Sequence, residues 1–272
     1  MQDRKVVEKE FHDKLRTYEG DSHVMDTRWS LKLENSIKHN PLWVNMKYYS
    51  IERKSQDMIL GWYRDNCPGK RVLDYCCGNG ADGRIIAKCG AREVVGIDIS
   101  EISIQNCIKL ARQEGVDAVA TYSVRDAEDT GFEDNSFDII TEYGALHHLD
   151  LQKAYAELSR ILRPEGKVIC NEALAHNPLI HGYRKMTPQL RTSWEVEHIL
   201  RKKDLLLARR YFGRIRIEFF YLTTLFAVPL RKTPLFLPVL TAFEWLDSLL
   251  LKLPGLKWWA WQALFVLSEP RF

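Results

Sequence analysis

Residues 71–98 read RVLDYCCGNGADGRIIAKCGAREVVGID, and three textures succeed one another within them. Arg71 to Tyr75 is a short apolar run of strand type that carries Asp74 near its end. Gly78 and Gly80 punctuate a turn, and Gly80 to Cys89 has the spacing of a helix. Glu93 to Asp98 (EVVGID) is a second apolar run, closed by a carboxylate. Strand, glycine turn, helix and strand make the unit of a parallel sheet with crossover helices. The glycines let backbone turn tightly and come close to a ligand where a Cβ would obstruct. The helix start behind them offers free N–H groups to a ligand's polar end.

The same alternation continues outward. Ser100 is placed to cap a helix running to Gln113; Val116 to Ser123 is a third strand and Phe137 to Glu142 (FDIITE) a fourth. A helix over Leu151 to Leu162 stops at Pro164, and a strand over Lys167 to Asn171 follows. Further strands are expected at Arg214 to Tyr221 and Gln262 to Leu267. These runs are apolar on both faces, as buried parallel strands require. The expected fold is α/β, a doubly wound, seven-stranded, mostly parallel sheet with an antiparallel last strand. Its expected parts are an N-terminal helical cap (1–69), a core (70–221) holding an acceptor loop (173–195), an apolar helical insertion (222–261), and the last strand of the core (262–272).

Bulk properties narrow the partners. The 272 residues suit one α/β domain with additions, and 46% hydrophobic with 28% charged residues is ordinary for a chain that buries a core. A net charge of +3 gives no reason to expect nucleic acid, whose binders concentrate basic residues on one face. Of six cysteines, none forms a CxxC pair, and adjacent Cys76 and Cys77 suit neither a mutual disulfide nor zinc, so reduced thiols and no metal are expected. The first residues, MQDRKVVEKEFHDKLR, are charged and lack an apolar signal core. A cytoplasmic protein is expected, with peripheral contact on the cytoplasmic membrane face left open.

Asp98 lies eighteen residues past Gly80 at a strand end, where a doubly wound fold presents a carboxylate to a nucleoside ribose. With Asp74, Gly78 and Gly80 before it, the stretch resembles class I S-adenosylmethionine-dependent methyltransferases, whose first motif is an acidic residue followed by GxGxG. The resemblance runs from Arg71 to Asn171, and its core is similar to the ubiquinone/menaquinone-type enzymes. It implies S-adenosyl-L-methionine as cofactor, with Asp74, Cys76, Gly78 and Gly80 around the methionine part and Asp98 and Ile99 at the ribose. Arg125-Asp126-Ala127-Glu128 resembles the adenine-binding segment, with Asp126 and Ala127 carrying it. Glu142-Tyr143-Gly144-Ala145-Leu146-His147-His148 resembles the LHH segment beside the methyl donor, and Arg163 to Val168 the LxPGGxL turn. Cys76 departs from the family by replacing the first glycine of GxGxG, which narrows the pocket there.

Methyl transfer needs an aligned acceptor and, for a phenol or enol, a base. His147, His148, Glu172 and His176 are the candidate catalytic residues; each also has an ordinary structural reading as a capping, packing or loop residue. Tyr48, Tyr49, His181, Tyr183 and Arg184, with Arg191, are candidates for holding the acceptor, against packing or solvation. The insertion LTTLFAVPLRKTPLFLPVLTAFEWLDSLLLKLPGLKWWAWQ mixes apolar residues with Lys252, Lys257, Trp258, Trp259 and Trp261, a membrane-interface composition. Glu244 and Asp247 argue against a spanning helix. Membrane docking or a mouth for a greasy substrate competes here with plain packing or a homodimer face. The expected function is methylation of carbon or oxygen on a small lipophilic acceptor such as a quinone, isoprenoid lipid or natural product. The alternatives are a protein or nucleic-acid methyltransferase, against which the chain lacks an Asn/Asp-Pro-Pro-Tyr/Phe tetrad after the fourth strand, and a non-catalytic, membrane-associated module on this fold.

Overall fold

The computed structural model of the chain describes residues 2–19 and 41–271. The part of the expected N-terminal cap between 20 and 40 lies outside the described residues. Seven strands form one sheet: β1 (Arg71–Tyr75), β2 (Glu93–Asp98), β3 (Ala120–Val124), β4 (Phe137–Tyr143), β5 (Leu162–Ala173), β6 (Phe212–Phe220) and β7 (Gln262–Pro270). Their order is β3-β2-β1-β4-β5-β7-β6. The first five run parallel, and β7 is antiparallel to both β5 and β6. The sheet therefore reverses its winding between β1 and β4, where their carboxyl ends splay and leave a crevice.

The described α-helices are α1 (Gln2–Glu19), α2 (Arg53–Asn66), α3 (Ala81–Lys88), α4 (Glu101–Gln113), α5 (Leu151–Ile161), α6 (Pro178–Met186), α7 (Ser193–His198), α8 (Lys202–Leu207) and α9 (Phe236–Leu250). Ser100 caps α4 by accepting from the Ser103 N–H at 3.0 Å. Alternation along the strands builds both layers. Val72, Val94, Ile139 and Ile169 bury with Ile59 and Tyr63 of α2 and Ile86 of α3. Leu73, Ile140, Val168 and Cys170 bury on the other face with Tyr155 and Leu158 of α5.

Several strand boundaries differ from the sequence reading, among them the sixth, which runs Phe212–Phe220 where Arg214 to Tyr221 was expected. The third strand begins at Ala120, because Val116 and Val119 are spent in a turn that closes α4 (Val119 N–H to Val116 carbonyl, 3.0 Å). The fifth begins at Leu162 and runs through Pro164, tolerated at a register shift against β4 between Phe137 and Ile139. The last continues to Pro270.

In the insertion, the two acids do not face outward. Asp247 accepts from the backbone N–H and hydroxyl of both Thr223 and Thr224, and Glu244 takes the Arg53 guanidinium through both oxygens. The inner face of α9 buries Phe236 and Leu240. No helix among the described residues is long and apolar enough to cross a membrane.

Candidate active site

The crevice at the β1/β4 switch is walled by Cys76, Gly78, Asp98, Ile99, Asp126, Ala127, Tyr143, Gly144, Ala145 and His148, and it measures about 710 Å³ including its open mouth. The turn after β1 is shaped by two left-handed residues, Cys76 at φ 57° and Gly78 at φ 52°. Asp98 fixes that turn: its carboxylate accepts from the Gly78 N–H at 2.9 Å and the Ser100 N–H at 2.8 Å. Asp126 accepts from the Glu128 N–H at 2.9 Å, which holds Ala127 against the crevice.

Several residues marked from sequence sit elsewhere. Asp74 is buried, and its carboxylate turns under α3 to take the Gly83 N–H at 2.9 Å instead of reaching the crevice. Burial, with Asp82 beside it, pushes its pKa up to about 8. Gly80 is at φ 67°, and a Cβ there would stand 2.8 Å from the Tyr122 ring and 2.9 Å from the Cys107 sulfur, so its freedom serves helix packing. Glu142 is buried beside Glu172; burial first, then the Glu172 charge, push its pKa well above the carboxylate range. One Glu142 oxygen accepts from the Ala145 and Leu146 N–H groups. His176 is exposed and accepts from the Lys202 N–H at 3.3 Å, away from the crevice, and His181 is exposed on α6.

His147 and His148 divide their work. His147 is buried, and its Nδ1 lies 2.7 Å from Glu172 Oε2; the other Glu172 oxygen accepts from the Leu146 N–H at 2.6 Å. Burial raises the Glu172 pKa, but the His147 charge and hydrogen bond outweigh it and hold it below the ordinary value. Of the two adjacent acids, Glu142 is the one whose pKa is pushed up and Glu172 the one whose pKa is held down. His148 lines the crevice and bonds Glu8 at 2.8 Å; burial lowers its pKa, but the Glu8 hydrogen bond together with the charges of Glu195, Glu8 and Glu172 outweighs burial, so the net shift is upward.

Glu8 belongs to a contribution that sequence reasoning missed. Helix α1 lies across the crevice with Arg4, Lys5, Glu8 and His12 on it. Arg4 pairs with Glu128, and Lys5 with both Asp126 and Glu128. The signal was available: Arg4, Glu8 and His12 recur every four residues, one stripe of a helix. Ligand atoms of Glu8, His12 and His148 lie within 4.8 Å of one another, as do those of His147, His148 and Glu195, a spacing that could hold a metal ion.

A nucleoside sulfonium fits what is present. The Asp98 carboxylate at the mouth of β2 could take a ribose, Asp126 and the small Ala127 a purine, and Gly144, at φ 67° with open space around it, leaves room beside Tyr143. Lys5 shares Asp126 with any purine amine that docks there.

Fold and crevice together define a class I, Rossmann-like S-adenosylmethionine-dependent methyltransferase domain of the small-molecule type. A family model described as a methyltransferase domain matches residues 66–213, more than half of the chain, and the chain belongs to that family. A demethylmenaquinone methyltransferase of Bacillus cereus is 36% identical over 127 residues, 43% of this chain and 50% of that protein. A glycine/sarcosine/dimethylglycine N-methyltransferase of Actinopolyspora halophila is 29% identical over 112 residues, 41% of this chain and 20% of that protein. The chain thus spans between a fifth and half of the length of these curated relatives. Among solved structures, geranyl diphosphate C-methyltransferase from Streptomyces coelicolor shares the fold at TM-score 0.53 and 16% identity, over 80% of this chain and 76% of that one.

Proposed function

We propose that the chain transfers a methyl group from S-adenosylmethionine to carbon or oxygen of a small lipophilic acceptor, a quinone, isoprenoid lipid or natural product. The observation that carries this reading is the buried His147–Glu172 pair, set at the same strand ends as the crevice residues Tyr143, Gly144 and Ala145. Asp98 would hold the ribose, Asp126 and Ala127 the adenine, and the backbone from Cys76 to Gly78 the methionine part. The cofactor supplies an activated methyl on sulfonium, so the chain's task is alignment and proton removal. An ionised Glu172 accepts from His147 Nδ1–H, which orients the ring and leaves Nε2 to take a proton from the acceptor. His148, bonded to Glu8, ties the roof helix to the same place.

A lipophilic acceptor is supported by the face of the insertion. Leu237, Trp245 and Leu249 are exposed along the outer side of α9, and exposed Leu253 follows the helix end beside Lys252. Lipid contact through 222–261, rather than a protein partner or homodimer, is the reading that face favours. The relative from Bacillus cereus, by name, methylates a demethylmenaquinone, and the neighbour from Streptomyces coelicolor a geranyl diphosphate; both acceptors carry isoprenoid chains. Calorimetry with S-adenosylhomocysteine, followed by methyl transfer from labelled donor into demethylated quinols and isoprenoids, tests the proposal. Binding with label in the lipid fraction is expected. A folded chain with no heat of binding would overturn it.

A further inference from the structure

Beyond His147, three elements meet around two tyrosines. Tyr48 and Lys47 come from the 3-10 segment Pro41–Ile51, Tyr183 and Arg184 from α6, and Arg231 from the end of the 3-10 segment Thr224–Leu230. The Tyr48 and Tyr183 rings meet edge to face at 4.9 Å. The Lys47 ammonium stands 5.2 Å from one ring centre and 4.7 Å from the other, and the Arg191 guanidinium lies 5.9 Å from the Tyr183 ring.

Lys47, Arg184, Arg191 and Arg231 gather here, and Arg191 is held by the Thr187 carbonyl and hydroxyl at 2.9 and 3.1 Å. Glu195 reaches the Arg191 Nε at 3.3 Å. Arg184 is buried and donates to the Leu174 carbonyl at 3.1 Å. Lys47 has no carboxylate partner among the described residues; burial, then the Arg231 charge, lower its pKa. The Tyr183 hydroxyl is buried without a hydrogen-bond partner. A buried hydroxyl left unmade beside the Lys47 ammonium asks for an anionic acceptor of hydrogen bonds. The cluster also continues the active site, because Glu195 bridges it to His147 and His148, their ligand atoms lying within 4.8 Å. On its other side, Arg231 stands at the root of the exposed apolar insertion.

We infer that Lys47, Arg191 and Arg231, with the Tyr183 hydroxyl, form a subsite for a phosphate-type headgroup on the acceptor. This rests on the proposal that an acceptor enters beside His147, and it adds that the acceptor is an anionic amphiphile. Its headgroup is held beside the paired tyrosines at Lys47, and its tail lies toward the insertion. Phosphate oxygens accept from the ammonium, the guanidinium and the hydroxyl together, which no neutral quinone ring does.

The test is titration of the whole chain, saturated with S-adenosylhomocysteine, with inorganic diphosphate, and separately with vesicles of phosphatidylcholine alone or with phosphatidylglycerol. Lys47→Met keeps the stem packed on both rings and removes the charge; Tyr183→Phe removes only the hydroxyl. Diphosphate affinity is expected to fall about tenfold or more in Lys47→Met and by a smaller factor in Tyr183→Phe, with S-adenosylhomocysteine affinity unchanged in both. Loss seen with diphosphate identifies a soluble phosphorylated acceptor. Loss seen only with phosphatidylglycerol vesicles identifies a lipid headgroup, and either result supports the subsite. Equal binding of both probes by parent and variants, or no binding of either by the parent, overturns it. Because the cofactor product is bound throughout, failure of the subsite is distinguishable from failure of the methyltransferase reading.

Discussion

Cys76 occupies a left-handed backbone position, φ 57°, that side chains adopt at a cost of about 1–2 kcal/mol. Replacing it by glycine removes that cost, while the freer unfolded chain takes back about 0.5–1 kcal/mol. Cys76→Gly is therefore expected to leave stability within about 1 kcal/mol of the parent in urea unfolding, whereas Cys76→Val, branched at Cβ, should lose about 2 kcal/mol. S-adenosylhomocysteine should bind Cys76→Gly at least as tightly, since the side chain lines the crevice. Glu172→Gln probes the proposed base. An amide facing His147 Nδ1 donates where the carboxylate accepted, so the ring keeps its proton on Nε2 and loses basic function. Methyl transfer to an acceptor that must lose a proton should fall about 10²–10⁴-fold with cofactor-product affinity unchanged, and His147→Ala should add little to it. A fall in melting temperature that accounts for the lost activity would assign the pair a structural role instead. At this scale the sequence was uneven. Asp98 was legible because strand end and spacing fix where its carboxylate lies. Asp74 was not, because a strand-end acid can turn to the crevice or under the next helix, and the Gly83 N–H decides between them.

Among the elements, the alternating strands and helices over 71–171 were legible because each closes over near neighbours in sequence. Arg71–Tyr75 and Glu93–Asp98 fell where expected, and Ser100 caps its helix. A helix was expected at α1, but its place over the crevice was not, since its polar composition reads as a solvated helix and its ionic partners stand more than a hundred residues away at Asp126 and Glu128. Its charge now has a use. Arg4 and Lys5 meet two carboxylates at the purine end, and Glu8 accepts from Thr192 and bonds His148, so the helix is pinned at both ends of the crevice. Exposed ion pairs contribute little, but the Arg4 and Glu128 side chains are only 10% and 2% exposed, where loss of one partner leaves a buried charge. The paired substitution Arg4→Ala, Lys5→Ala should loosen the roof. S-adenosylhomocysteine is then expected to dissociate about tenfold faster in stopped-flow displacement, and amide exchange in α1 should accelerate while the sheet stays protected. Unchanged release would mean that α1 packs over the crevice without retaining its contents.

The molecule as a whole carries buried acids whose ionisation opposes folding. Glu52, enclosed between the Tyr143 hydroxyl and Gln262, is pushed by burial to a pKa of about 8, as is Asp74. A raised folded pKa means that the stabilising contribution is fully present below the ordinary carboxylate value and is lost as pH rises toward 8. Stability should fall between about pH 5 and 8 with a slope of up to about 1.4 kcal/mol per unit for each group. Glu52→Gln should flatten that slope in urea unfolding across this range, because a neutral amide can face the Gln262 Oε1 that lacks a partner. The insertion obeys the same economy of charge. Its acids were read from sequence only as obstacles to a spanning helix, since composition cannot say which face of a helix a side chain takes. Asp247 and Glu244 point inward, onto Thr223, Thr224 and Arg53, and their withdrawal leaves the outer face to Leu237, Trp245, Leu249 and Leu253. Trp245 is 66% exposed, so removing it should leave the melting temperature nearly unchanged. In a lipid interface the same ring would bury about 150–250 Å² of surface, so at ~25 cal/mol per Å² Trp245→Ser should weaken vesicle binding by more than tenfold. Adding Leu249→Ser should weaken it further, with cofactor-product binding intact. Co-sedimentation with phosphatidylcholine vesicles measures this directly, and equal sedimentation by parent and double variant would remove lipid as the partner of that face.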